Sequence, residues 1–146
     1  MKSENEKKKE YLRSYRIHVR RVQRINAEIE ELRAMKMYPS VKDSDGMPHG
    51  SNGTGDLSGY AADLDAMVQE LIEERYLRIK TYQQIVRQIK RLLSENEKDV
   101  LFYRYIKGLD WWEIAEKMCF SERWIYKLHG KALAHFEIPK EFIEVQ

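Results

Sequence analysis

Between Ser121 and Lys131 the chain sets Glu122, Arg123, Tyr126, Lys127, Gly130 and Lys131 in adjacent pairs four residues apart. At about 100° per residue such pairs fall on one side of a helix. Arg presents a planar fork of donors, Lys a mobile ammonium, Tyr a hydroxyl and Glu an acceptor pair. The chemistry such a face offers is directional hydrogen bonding to an acceptor-rich surface rather than the breaking of a bond. Gly130 adds no side chain, so the backbone can be approached closely there.

Constellations for bond-making chemistry are weaker. His129 and His135 stand six residues apart and do not share a helix face. With the single cysteine, Cys119, they do not form a metal-ligand pattern. Cys119 has no identifiable base beside it in the sequence, so it is not read as a nucleophile. Glu95, Glu97 and Asp99 favour a helix start more than acid–base work. The stretch "GSNGTGD" is glycine-rich, but no Gly-Lys-Ser/Thr follows and no strand precedes it. No catalytic residue, metal or cofactor is expected, and the chain is not read as an enzyme.

The elements that must hold the polar face follow from apolar spacing. Asp110 and Ser121 are N-cap residues of two short helices. The first should bury Trp111, Ile114, Ala115 and Met118; the second should bury Ile125, Leu128, Ala132 and Phe136. Trp112 is left for contact with a neighbour, and Trp124 is balanced between packing and ligand contact. Upstream, "SENE" at 94–97 reads as a capping box, and Gly108 as the C′ residue that ends the helix it starts. Two helices across a short turn make a helix-turn-helix, whose second helix fits a major groove about 12 Å wide.

Further upstream lie two long helical patterns. Tyr11, Tyr15, His18, Val22, Ile25, Ile29 and Leu32 recur at steps of four and three, a heptad seam. Tyr38-Pro39 is the expected end. A second seam is read from Ala61 onward through Val68, Ile72, Arg75, Ile79, Tyr82, Val86, Ile89 and Leu93. Residues 38–60, rich in Ser, Gly, Asp and Pro, read as a flexible linker, long enough to permit parallel as well as antiparallel packing. The expected architecture is all-α: a coiled-coil-like helical hairpin over 1–93, a three-helix domain over 94–138 and a tail over 139–146 that can fold back through Phe142 and Ile143. A lone helix pair buries little area, so a homodimer through the long helices is expected.

The segment "DVLFYRYIKGLDWWEIAEKMCFSERWIYKLHGKALAHF" resembles the region-four DNA-binding domain of bacterial sigma factors. The likeness rests on the Val-Leu pair, Arg104-Tyr105, Gly108-Leu109, Glu113-Ile114-Ala115, Ser121, Ile125 and Lys131-Ala132-Leu133. The overall layout is similar to phage late transcription regulators of the ArpU type. The resemblance implies a sigma-like helix-turn-helix, double-stranded DNA as partner and RNA polymerase as a second one. It places Ser121, Glu122, Arg123, Tyr126 and Lys127 at the DNA; Trp124 and Lys131 complete the candidate set. Departures are Cys119 where the family's turn carries glycine, and Tyr126 and Gly130 where basic or polar side chains are common. No other sigma regions are visible. The rival reading is a sigma-like module that docks on polymerase or a phage partner without reading DNA.

Charge sharpens the question. Residues 1–24 hold nine Lys or Arg against three Glu, whereas 94–146 hold eight basic and ten acidic residues. The basic arm is therefore N-terminal, and one copy of the C-terminal segment should hold phosphates weakly. No apolar run approaches the roughly 20 residues that span a bilayer. "MKSENEKKKEY" lacks the apolar core of a secretory signal, and one cysteine suits a reducing compartment. A cytoplasmic location without a membrane partner is expected.

Overall fold

The computed structural model describes residues 1–43 and 50–145, with side chains over 1–35 and 59–142. The described chain is helical: α1 (Glu4–Asp43), α2 (Gly50–Lys90), α3 (Glu95–Leu101), a π-helical turn (Phe102–Ile106), α4 (Trp111–Met118), α5 (Glu122–His135) and α6 (Lys140–Val145). No strand occurs among the described residues, and no helix among them is long and apolar enough to cross a membrane.

Both long helices run further than their sequence punctuation suggested. α1 continues past Pro39 to Asp43, and α2 starts at Gly50 rather than Ala61. Proline removes one backbone donor but holds φ near a helical value, so a helix can pass through it at a cost. Of the linker expected over 38–60, only residues 44–49 remain between the helices, and these lie outside the described residues.

Two compact units form, residues 1–18 with 78–146, and residues 19–77. The boundary expected at residue 93 falls inside the first unit. In the second unit, Val22, Ile25, Ile29 and Leu71 are buried together, with Leu64, Met67 and Val68 packed against them. Arg21 reaches Glu74 at 3.6 Å. That pair sets the direction of the hairpin. Parallel helices sharing this contact would part residues 43 and 50 by about 70 Å at about 1.5 Å per residue. The connecting segment can reach only about 25 Å, so the helices run antiparallel.

The α1 seam lies where its spacing put it: Tyr11, Tyr15, Val22, Ile25 and Ile29 are buried, joined by Leu12 and Val19. The α2 seam does so only in part: of its members, Val68 packs against the core and Ile89 is buried. Leu71, Ile85, Ile89 and Leu92 are buried, whereas Ile72, Ile79, Tyr82 and Leu93 are exposed, as is Arg75. α2 carries apolar residues at two phases roughly 100° apart, and between Ile72 and Tyr82 the one chosen from spacing is the outer one.

In the first unit α3 and α5 pack on each other, and α4 packs on α5 and on the π turn. α1 closes the unit from the other end of the chain. Lys8 Nζ donates to the Leu133 carbonyl at 2.8 Å near the end of α5, where last-turn carbonyls lack helical partners. Tyr11 packs on Phe136 and, edge-on at 4.8 Å, on Phe142 of α6. The tail thus folds back through Phe142; the side chain of Ile143 lies outside the described set.

Candidate nucleic-acid interface

The candidate surface is built on α4, a turn and α5. α4 is entered at Asp110, whose backbone N–H donates to Glu113 Oε1 at 3.0 Å. It ends in a Schellman arrangement: Phe120 N–H donates to Ala115 O at 3.0 Å and Cys119 N–H to Glu116 O at 3.2 Å. That geometry requires a left-handed residue, and Cys119 supplies it at φ 59°, ψ 42°. Ser121 then caps α5, its Oγ accepting from Trp124 N–H at 3.1 Å. Three residues thus join α4 to α5, Cys119 and Phe120 held by backbone bonds and Ser121 by its side chain.

The inner side of α5 buries Ile125, Leu128, His129, Ala132 and Leu133, followed by Phe136. Ser121, Glu122, Arg123, Trp124, Tyr126, Lys127, Gly130 and Lys131 are all exposed. The six residues that spacing set outward, Glu122, Arg123, Tyr126, Lys127, Gly130 and Lys131, are among them. Their freedom differs. Ser121 is committed to the cap, and Trp124 lies edge-on to Phe120 with the Lys131 ammonium 5.3 Å from its ring centre. Tyr126 rests on Trp111 at 5.2 Å. Glu122, Arg123 and Lys127 carry the open polar groups. Nothing lies within 4 Å of where a Cβ would stand on Gly130, so the backbone there is accessible.

The platform beneath contains a polar pair that the sequence reading missed. Tyr105 Oη and His129 Nε2 lie 2.8 Å apart, both buried. Trp111 meets the His129 ring edge-on at 4.7 Å, and the Arg104 guanidinium covers the Trp111 ring at 4.3 Å. Burial lowers the His129 pKa to about 4, with Lys9, Arg104 and Arg13 adding to the effect. Burial likewise raises Tyr105 to about 12. The neutral imidazole and phenol are the stable forms, so the pair works as a structural hydrogen bond tying the π turn to α5. The signal was available: Ile125, His129, Ala132 and Phe136 step by four, three and four, the spacing of a buried stripe.

Glu97 shows another division of labour. Ser94 Oγ accepts from Glu97 N–H at 3.3 Å, half of the expected capping box. The Glu97 carboxylate instead takes His135 Nδ1 at 2.7 Å, linking the start of α3 to the end of α5. Trp112 is 55% exposed on α4, as expected for the outer member of the tryptophan pair. Among the described residues, no group of three or more His, Cys, Asp and Glu side chains is placed to hold a metal ion.

Around α5 the charge is balanced, with four basic and four acidic residues over 110–136. The positive excess comes from α1: Lys9 and Arg13 stand near enough to His129 to disfavour its protonation.

No protein-family model, no curated protein and no solved structure matches this chain.

Proposed function

We propose that the protein is a sequence-specific, double-stranded-DNA-binding transcription regulator of phage type. On this reading α4 and α5 form a sigma-like helix-turn-helix, and α5 reads the major groove. The observation that carries the proposal is the division of α5 into a buried apolar side and an open side bearing Glu122, Arg123, Tyr126, Lys127 and Lys131. Arg123 and Lys127 can donate to guanine edges and Glu122 can accept from a cytosine amine. The Ser121 cap and Trp124 ring set the N-terminal turn that enters first. Lys9 and Arg13 of α1 supply phosphate contacts beside it, which the balanced charge of residues 110–136 does not. Two copies, associated through the long helices, double those contacts.

The test begins with selection of bound sequences from random duplexes. On the selected site Arg123→Ala should lose about 1–3 kcal/mol and relax preference at one base position. Unchanged affinity for every duplex with Arg123→Ala would remove the DNA reading. One observation favours the rival: exposed Trp112, with Leu109, Glu113, Glu116 and Lys117, lines a shallow recess on the outer side of α4. Exposed Trp is enriched where proteins dock. Trp112→Ala should leave DNA affinity intact and weaken retention on RNA polymerase in a direct pull-down if this surface serves a second partner.

A further inference from the structure

We infer that α2 carries a second apolar seam, and that a second copy of this chain occupies it, helix against helix and antiparallel. The inference gives the homodimer invoked above a face and a register, and it does not depend on what α5 reads.

The seam is the one left outside. Ile72, Tyr76 and Ile79 are 52%, 63% and 58% exposed. They follow one another at steps of four and three, and Gln83 and Val86 continue the pattern. The cluster that joins α2 to α1 uses Leu64, Met67, Val68 and Leu71, so the outer stripe begins beyond Val68 and lies roughly 100° around the helix from Leu71. Three consecutive large apolar side chains in water are unfavourable at roughly 1.5–3 kcal/mol each relative to burial. Their heptad spacing suits another helix.

Charge selects the occupant. Residues 61–74 contain Asp63, Asp65, Glu70, Glu73 and Glu74 and no Lys or Arg. Residues 75–91 contain Arg75, Arg78, Lys80, Arg87, Lys90 and Arg91 and no Asp or Glu. A parallel copy would set like charge against like along the whole seam. An antiparallel copy sets each acidic half against the basic half of the other. Seam geometry then fixes the register. Tyr76 of one copy meets Ile79 of the other, and Glu73 beside the seam faces Lys80 across it. The neighbouring register sets Glu73 against itself and is disfavoured. The helix is thus complementary to its own reverse, as a two-fold interface demands.

The test is sedimentation of the full chain at micromolar concentration without DNA, with helical content followed by circular dichroism. Wild type should sediment as a dimer. Ile72→Glu with Ile79→Glu should give a monomer of unchanged helicity; Ile72→Ser with Ile79→Ser serves if the glutamates lower the helical signal. Glu73→Lys alone, or Lys80→Glu alone, should raise the dimer dissociation constant about tenfold, since each places two like-charge contacts in the dimer. The exchange E73K/K80E should restore wild-type association. A monomeric wild type, a dimer that survives both seam substitutions, or an exchange no better than its single members would overturn the inference. Because no DNA is present, none of these results bears on the reading of α5.

Discussion

Cys119 occupies a left-handed conformation that costs a β-carbon roughly 1–2 kcal/mol. Glycine avoids that cost but loses about 0.5–1 kcal/mol through unfolded-state entropy. Cys119→Gly should therefore stabilise the turn by about 0.5–1 kcal/mol, read as a higher denaturant midpoint at unchanged slope. A lower midpoint would mean that the thiol makes a contribution the turn geometry does not contain. Tyr11 poses a second residue-scale question. Its hydroxyl is buried with no hydrogen-bond partner among the described residues. Burial, aided by Glu141, raises its pKa to about 12. The ring is held by Phe136 and Phe142, but the oxygen only loses water. Tyr11→Phe keeps the ring and removes a desolvated oxygen, so stability should rise by about 1 kcal/mol. Any destabilisation beyond error would show that the hydroxyl has a partner in solution.

At the scale of elements, the π turn, α4 and α5 depend on one neutral histidine. The His129 pKa is lowered from 6.5 to about 4, so the unfolded chain binds a proton more readily than the folded one. The contribution of this group to stability is complete above about pH 6.5 and declines as pH falls toward 4, by up to about 3 kcal/mol. His129→Gln keeps a group able to bond Tyr105 and removes the titration. Its stability should be lower than wild type at pH 7 and fall less steeply between pH 6.5 and 4; parallel pH profiles would contradict this account. The same elements show what sequence could reveal. Asp110, Ser121, Gly108 and Ser94 were legible because a cap requires a particular side chain or a positive φ, and few residue types meet either need. The α1 seam was legible because its other positions are mostly charged. The α2 phase was not: two apolar stripes obey the same spacing, and only the α1 partner decides which is buried. The π turn was invisible because Phe102–Ile106 satisfies helical periodicity either way. Its extra residue shows in the Lys107 N–H to Phe102 O bond at 3.1 Å.

At the scale of the molecule, the first and last segments of the chain share one unit, and the electrostatics of the proposed DNA binding follow from that. α5 offers Arg123, Lys127 and Lys131 but is offset by Glu122 and by the acidic residues of α4. α1 adds positive charge near His129, Lys8 reaches the Leu133 carbonyl, and Arg13 is exposed. A groove-reading helix needs phosphate contacts on either side of it, and these carry no sequence information. The two sets of residues should therefore separate in experiment. Arg13→Gln should weaken binding to specific and random duplexes by the same factor. It should also lower the slope of log affinity against log salt by about one per copy bound. Arg123→Ala should act mainly on the selected site. The fragment 94–146 lacks α1 altogether; it should bind more weakly than the full chain and with a shallower salt dependence. It also loses the Lys8 and Tyr11 contacts that close the unit, so its helicity must be measured alongside. A folded fragment that binds as tightly as the full chain, with the same salt slope, would mean that α1 does not touch the phosphates, and the basic arm would need another explanation.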